Sequence, residues 1–126
     1  MVKEFVPYEL AIKLKELGFD EPCFGYYSKR ELVYGSHANN HMQRFRYSAP
    51  TFSQAFRWFR DTHNMFHEIQ IDRTTQPKFC YAVFHYEHYG NYEYIGIEDW
   101  SLYRTYEEAE LACLDKLIEV VESKSE

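Results

Sequence analysis

The sequence predicts an α+β domain: an antiparallel sheet of about five strands with three helices, in the order α-β-β-α-β-β-β-α, the helices mainly on one face. Three observations predict it. The phrase "APTFSQAFRWFR" (49–60) returns in altered form as "YRTYEEAELACL" (103–114). An apolar stripe at helical spacing opens the chain. Short aromatic and β-branched runs joined by brief polar links favour hairpins and hence antiparallel pairing.

The first helix falls in "VPYELAIKLKELGFDEP". Pro7 suits the first helical position, where its missing N–H costs nothing. Leu10, Ala11, Leu14 and Leu17 form one stripe, with Glu9, Lys13 and Glu16 on the other side. Gly18 suits the left-handed residue after a helix, and Phe19 can fold back on Leu14. "CFGYYS" and "ELVYGS", separated by "KR", read as a hairpin. "HANNHMQRFRYSAP" has no clean period and reads as a long polar loop.

The repeated phrase marks two helix starts. Thr51 can accept from the Gln54 amide, Thr105 from that of Glu108, and each Gln or Glu side chain can reach back: two capping boxes. Phe52 and Ala55, or Tyr106 and Ala109, begin the buried stripes. The stripe of the second helix continues through Phe56 and Phe59, with Ser53, Arg57, Arg60 and Asp61 outside. That of the third continues through Cys113, Leu114, Leu117, Val120 and Val121. Between these helices "MFHEIQID" alternates, "KFCYAVFHYEHY" is apolar on both faces, and "YEYIGIEDW" follows a Gly90-Asn91 turn.

A chain of 126 residues is long enough to bury a core, and one domain over 1–126 is expected. No run of about 18 apolar residues could cross a membrane, and "MVKEFVPYELAIKLKEL" is too charged for a signal peptide. A cytoplasmic protein with no membrane partner is therefore expected. Cys23, Cys80 and Cys113 are odd in number, far apart and in apolar settings, which predicts buried free thiols. Net charge is −6, yet no Asp or Glu occurs from Leu32 to Arg60. The C-terminal third is correspondingly acidic.

"VPYELAIKLKELGFDEPCFGYY", "APTFSQAFRWFR" and "TYEEAELACLDKLIEVV" together resemble a family of small uncharacterised proteins from phages and mobile elements of gut bacteria. The resemblance covers roughly the whole chain. It implies an accessory protein of a phage or related element and supplies no site residue.

Chemistry-bearing patterns are sparse. His37 and His41 are four apart, as are His63 and His67, and "HYEH" gathers His85, Glu87 and His88. Zinc needs three or four converging ligands, and none of these spacings on a loop or strand provides them. No nucleophile elbow, P-loop or dinucleotide fingerprint is present. No catalytic residue, metal ligand or cofactor is therefore expected. The acid-free segment "QRFRYSAPTFSQAFRWFR" interleaves arginines with aromatics, the residue types that pair with phosphates, stack on bases and anchor protein interfaces. Arg44, Arg46, Tyr47, Arg57, Trp58 and Arg60 are the candidate binding residues. The leading expectation is a non-enzymatic module with a protein partner. The alternatives are single-stranded nucleic acid on the same surface and a small metal-dependent enzyme using the histidines.

Overall fold

The computed structural model describes residues 2–38, 46–73, 78–88, 91–94 and 102–124. After a short 3-10 turn at Val2–Glu4 come α1 (Tyr8–Glu16), β1 (Cys23–Ser28), β2 (Glu31–Ala38), β3 (Arg46–Ala49) and α2 (Phe52–His63). Then follow β4 (Met65–Asp72), β5 (Lys78–His88), β6 (Asn91–Tyr94) and α3 (Tyr106–Lys124). The α+β class, three helices and antiparallel pairing are as expected. Two features differ: Arg46–Ala49, read from sequence as loop, is a strand, and the strands form two sheets ordered β2-β1-β3 and β4-β5-β6. The chain divides into two compact units, Met1–Ala55 and Phe56–Glu126.

In the first unit, α1 starts at Tyr8 because Pro7 has extended backbone (ψ 159) and serves as the N-cap rather than the first helical residue. The Pro7 carbonyl still accepts from the Ala11 amide at 2.9 Å. The helix ends as its sequence predicts. Gly18 takes φ +100, its amide donates to the Lys15 carbonyl at 3.0 Å, and the Phe19 amide donates to the Leu14 carbonyl at 3.0 Å. This paired closure requires a left-handed residue at position 18 and buries Phe19 beside the helix end.

The β1–β2 hairpin turns on Lys29 (φ 51) and Arg30 (φ 70), with Ser28 opposite Glu31. Two successive left-handed residues match the twist of a two-residue hairpin, a place Asn-Gly fills more cheaply. β1 pairs with β3 on its other side, Gly25 opposite Ala49 and Ser28 opposite Arg46. Phe5, Ala11, Tyr27 and Ala49 form a buried cluster, with Tyr8, Leu32 and Tyr47 packed against it. The Tyr27 hydroxyl, buried there, donates to the Val6 carbonyl at 2.8 Å. Gly25 makes room for Phe5: a Cβ there would lie 3.0 Å from the Phe5 ring.

In the second unit, β4 and β5 pair without interruption from Met65–His85 to Asp72–Lys78. α3 lies against both strands. Its buried stripe is Ala109, Cys113, Leu114, Leu117, Ile118, Val120 and Val121. Tyr106, expected to begin that stripe, is 45% exposed and rests edge-on against Phe79. It projects at the first turn, where the helix has not yet been covered. Phe79 and Tyr103 exchange both backbone hydrogen bonds, at 2.8 and 2.6 Å, fixing the chain just before α3.

Both helix starts carry the expected cap. The Gln54 amide donates to Thr51 Oγ1 at 3.2 Å, and the Glu108 amide to Thr105 Oγ1 at 3.1 Å. The Gln54 side chain does not close a box with Thr51. It donates instead to Glu21 Oε1 at 3.2 Å and the Pro22 carbonyl at 3.0 Å, tying α2 to the segment before β1. Thr51→Ala and Thr105→Ala should each cost about 0.5–2 kcal/mol, and the Gly variants less. Urea midpoints that stay put in both Ala variants would show that neither hydroxyl acts as a cap.

Candidate binding face

The sequence-predicted residues divide between the two units, Arg46 and Tyr47 in the first and Arg57, Trp58 and Arg60 in the second. Arg44 lies outside the described residues. Arg46 and Tyr47 are neighbours on β3, so their side chains leave opposite faces of the sheet. Tyr47 lies on the α1 side, where the Tyr8 ring meets it edge-on at 5.9 Å and Lys15 Nζ sits 5.0 Å from its centroid. Arg46 is exposed on the other side. Arg57 is exposed and Arg60 half-buried on α2, as expected of its polar side. Trp58 is only 6% exposed, packed edge-on against Phe59 at 5.0 Å and His63 at 4.9 Å. It is a buried ring and no stacking platform.

The exposed rings lie instead on β1. Strand alternation puts Phe24, Tyr26 and Ser28 on the face away from Cys23, Gly25 and Tyr27. Cross-strand partners share a face, so Val33 (opposite Tyr26), Glu31 (opposite Ser28) and Arg46 (opposite Ser28) lie there too. Phe24 is 66% exposed and Val33 39%. Tyr26 is half-buried, with the Arg46 guanidinium 4.6 Å above its ring. Ser48, buried beside Tyr26, closes the face toward the β3 C-terminus.

Two further cations of the unit, Arg30 and Lys15, are held by rings or backbone. Arg30, on the left-handed turn, stands 5.2 Å over the Tyr8 ring. Lys15 Nζ donates to the Arg46 carbonyl at 3.3 Å, holding the start of β3 to the helix. A guanidinium seated on a ring is worth about 0.5–1 kcal/mol at an exposed site. It therefore holds Arg46 over Tyr26 without removing its N–H groups from solvent. The sequence misread this face for a simple reason. "CFGYYS" looked like an ordinary hairpin strand, and only cross-strand pairing reveals which of its rings are covered.

Thiol chemistry is not available here. Burial, with Glu21 adding to it, pushes the Cys23 thiol up to about 12, and burial also raises Cys80 and Cys113. All three are buried and free, so each stays a protonated, unreactive thiol near neutral pH. Among the described residues, no group of three or more His, Cys, Asp or Glu side chains could hold a metal ion. His37 lies in β2 and His88 in β5, while His41 is outside the described residues. Among those residues no helix is long and apolar enough to cross a membrane. No protein-family model matches the chain, and neither a curated protein nor a solved structure is significantly similar to it.

Proposed function

We propose that the first unit is a non-enzymatic binding module that takes an extended single strand of nucleic acid across the outer face of its sheet. The observation that carries this is the row on β1: Phe24 and Tyr26 share a face of the central strand, with the Arg46 guanidinium over Tyr26. Two residues along a strand separate the rings by roughly 6.5–7 Å. Two successive bases of a stretched, unstacked strand can then each meet a ring, while Arg46 reaches the phosphate between them. Such stacking tolerates any base, so the module would read little sequence.

Charge distribution supports the reading. The chain is acidic as a whole, which opposes contact with a polyanion. The first unit, however, holds seven Lys or Arg against six Asp or Glu, and the second seven against fourteen. The acidity thus resides in the second unit. On the face itself Glu31 lies at the turn end, where Lys29 follows Ser28 directly, while Arg30 turns to the α1 side over the Tyr8 ring. Keeping two cations in left-handed conformation costs about 1 kcal/mol or more each, which suits a turn whose charges are used.

Fluorescence anisotropy of labelled single-stranded RNA and DNA homopolymers, at low and physiological salt, tests this. Saturable binding is expected at low salt, with log affinity falling by about 0.7 per phosphate contacted for each decade of salt. Phe24→Ala and Tyr26→Ala should each weaken binding by about 1–3 kcal/mol, or roughly 5- to 150-fold. Phe24 is exposed enough that its variant should keep the parent melting temperature. Absence of binding at low salt, or full binding by the Phe24→Ala/Tyr26→Ala double variant, sinks the nucleic-acid reading. A protein partner that needs Phe24 yet is not displaced by oligonucleotide would reassign the face to protein recognition.

A further inference from the structure

The second unit contains a separate polar pocket where α2 ends, β5 passes and α3 ends. His63 is the last residue of α2, Lys124 the last of α3, and His85 lies on β5. Together with Thr62, Asn64, Met65 and Val121 these residues line an open cavity of about 330 Å³. That volume lies at the lower end of the range for small-molecule sites.

The polar groups are arranged rather than scattered. Lys124 Nζ and His85 Nδ1 are 3.3 Å apart. An ammonium can only donate, so in this contact Nδ1 is the acceptor and Nε2 is the ring nitrogen left to donate. Lys124 keeps further N–H donors. His63 Nε2 is shielded from solvent and is the one buried side-chain nitrogen or oxygen, among the described residues, without a hydrogen-bond partner. Such an atom costs stability unless something supplies the bond. Burial, with the Lys124 ammonium adding to it, lowers the His63 pKa, so its ring is neutral near pH 7.

We infer that this pocket binds a small phosphate-bearing ligand, with the phosphate on Lys124 and His85 and the remainder against Met65 and Val121. The helix termini oppose an anion, since each leaves about half a negative charge on its last carbonyls. Those half-charges are spread over several carbonyls, whereas Lys124 carries a full charge on an atom already placed against His85. A charge-assisted bond to an oxyanion is about twice as strong as a neutral one. His85 Nε2 offers a second donor to the same oxyanion.

The test uses the full chain and two probes, inorganic phosphate and a sugar phosphate, with sodium chloride at matched ionic strength as control. Imidazole resonances of His63 and His85 should shift saturably with one or both probes, and the melting temperature should rise with ligand concentration. The sugar phosphate binding at least about tenfold tighter would place the ligand body on Met65 and Val121; equal affinity would restrict the site to the phosphate group. Lys124→Met, at an exposed helix end, should keep the fold and lose both effects. Shifts that do not saturate by about 10 mM, shifts reproduced by chloride, or ligand stabilisation unchanged in Lys124→Met would each overturn the site.

Discussion

Trp58→Ala is expected to destabilise the protein by about 3–5 kcal/mol, the usual cost of removing a buried large aromatic. The ring is 6% exposed and makes edge contacts with both Phe59 and His63, so its loss strips two neighbours as well as its own buried area. Phe59, itself fully buried, cannot move far to fill the space. Arg57→Ala, one residue earlier and exposed, is the control and should stay within about 0.5 kcal/mol. The pair separates two readings of "FRWFR". If Trp58 were a surface platform, its removal would leave the urea midpoint unchanged and cost only binding. A fall in midpoint larger than any other single substitution in α2 except Phe59→Ala is the expected result.

Why the sequence misplaces Trp58 while placing Thr51, Thr105 and Gly18 is a matter of range. A cap is closed within three residues, Thr51 to Gln54 or Thr105 to Glu108, so the local string holds every atom the interaction needs. The closure of α1 by Gly18 and Phe19 is equally local. Trp58 sits at the margin of an apolar arc through Phe52, Ala55, Phe56 and Phe59. Whether the margin of a stripe is covered depends on what the fold packs over it, and Trp58 is left only 6% exposed by more than its own helix neighbours Phe59 and His63 can cover. The strand Arg46–Ala49 escaped for the same reason. Four residues show no decisive alternation, and their strand character comes from pairing with Tyr26 and Tyr27, some twenty positions earlier.

The candidate site was legible as a chemistry but not as a place. Arg46 sits over an aromatic ring, and that ring is Tyr26 rather than the adjacent Tyr47. Adjacent residues on a strand face apart, so a sequence-contiguous reading suits a helix or loop and fails as soon as the segment becomes β. The division into two sheets was likewise invisible, because hairpins are local and the assignment of hairpins to sheets is not. The histidines show a third limit. The sequence offered His63 and His67 only as a spacing, yet the His67 ring stacks on Phe56 at 3.7 Å and 11°. Nothing in the spacing H-x3-H distinguishes a solvated imidazole from one pressed against a core phenyl.

That stacked ring should make the protein lose stability between about pH 6.5 and 4, starting above the range where carboxylates titrate. Burial, with Arg60 adding to it and Glu68 opposing, lowers the His67 pKa from 6.5 to about 4. Above pH 6.5 the ring is neutral in both folded and unfolded chains, and its contribution is fully present. Between 6.5 and 4 the unfolded chain binds a proton that the folded chain refuses, so stability falls as pH falls. Below about 4 both forms are protonated and the loss is complete. A shift of this size corresponds to about 3 kcal/mol at one pKa unit per 1.36 kcal/mol; the ring also borders an open pocket of about 370 Å³ beside Phe66, Glu68 and Phe84, so solvent reduces this to about 2 kcal/mol. His63, also lowered, adds in the same direction, while Glu110, whose pKa burial raises, works weakly the other way. Urea midpoints measured from pH 7 to pH 5, where most carboxylates remain ionised, should therefore decline. His67→Phe keeps the stack on Phe56 and removes the proton site, so its midpoint should decline less over the same interval. An imidazole titration placing His67 near 6.5, or a His67→Phe variant with the parent's full decline, would show that the ring is solvated and that the stack on Phe56 does not control its charge.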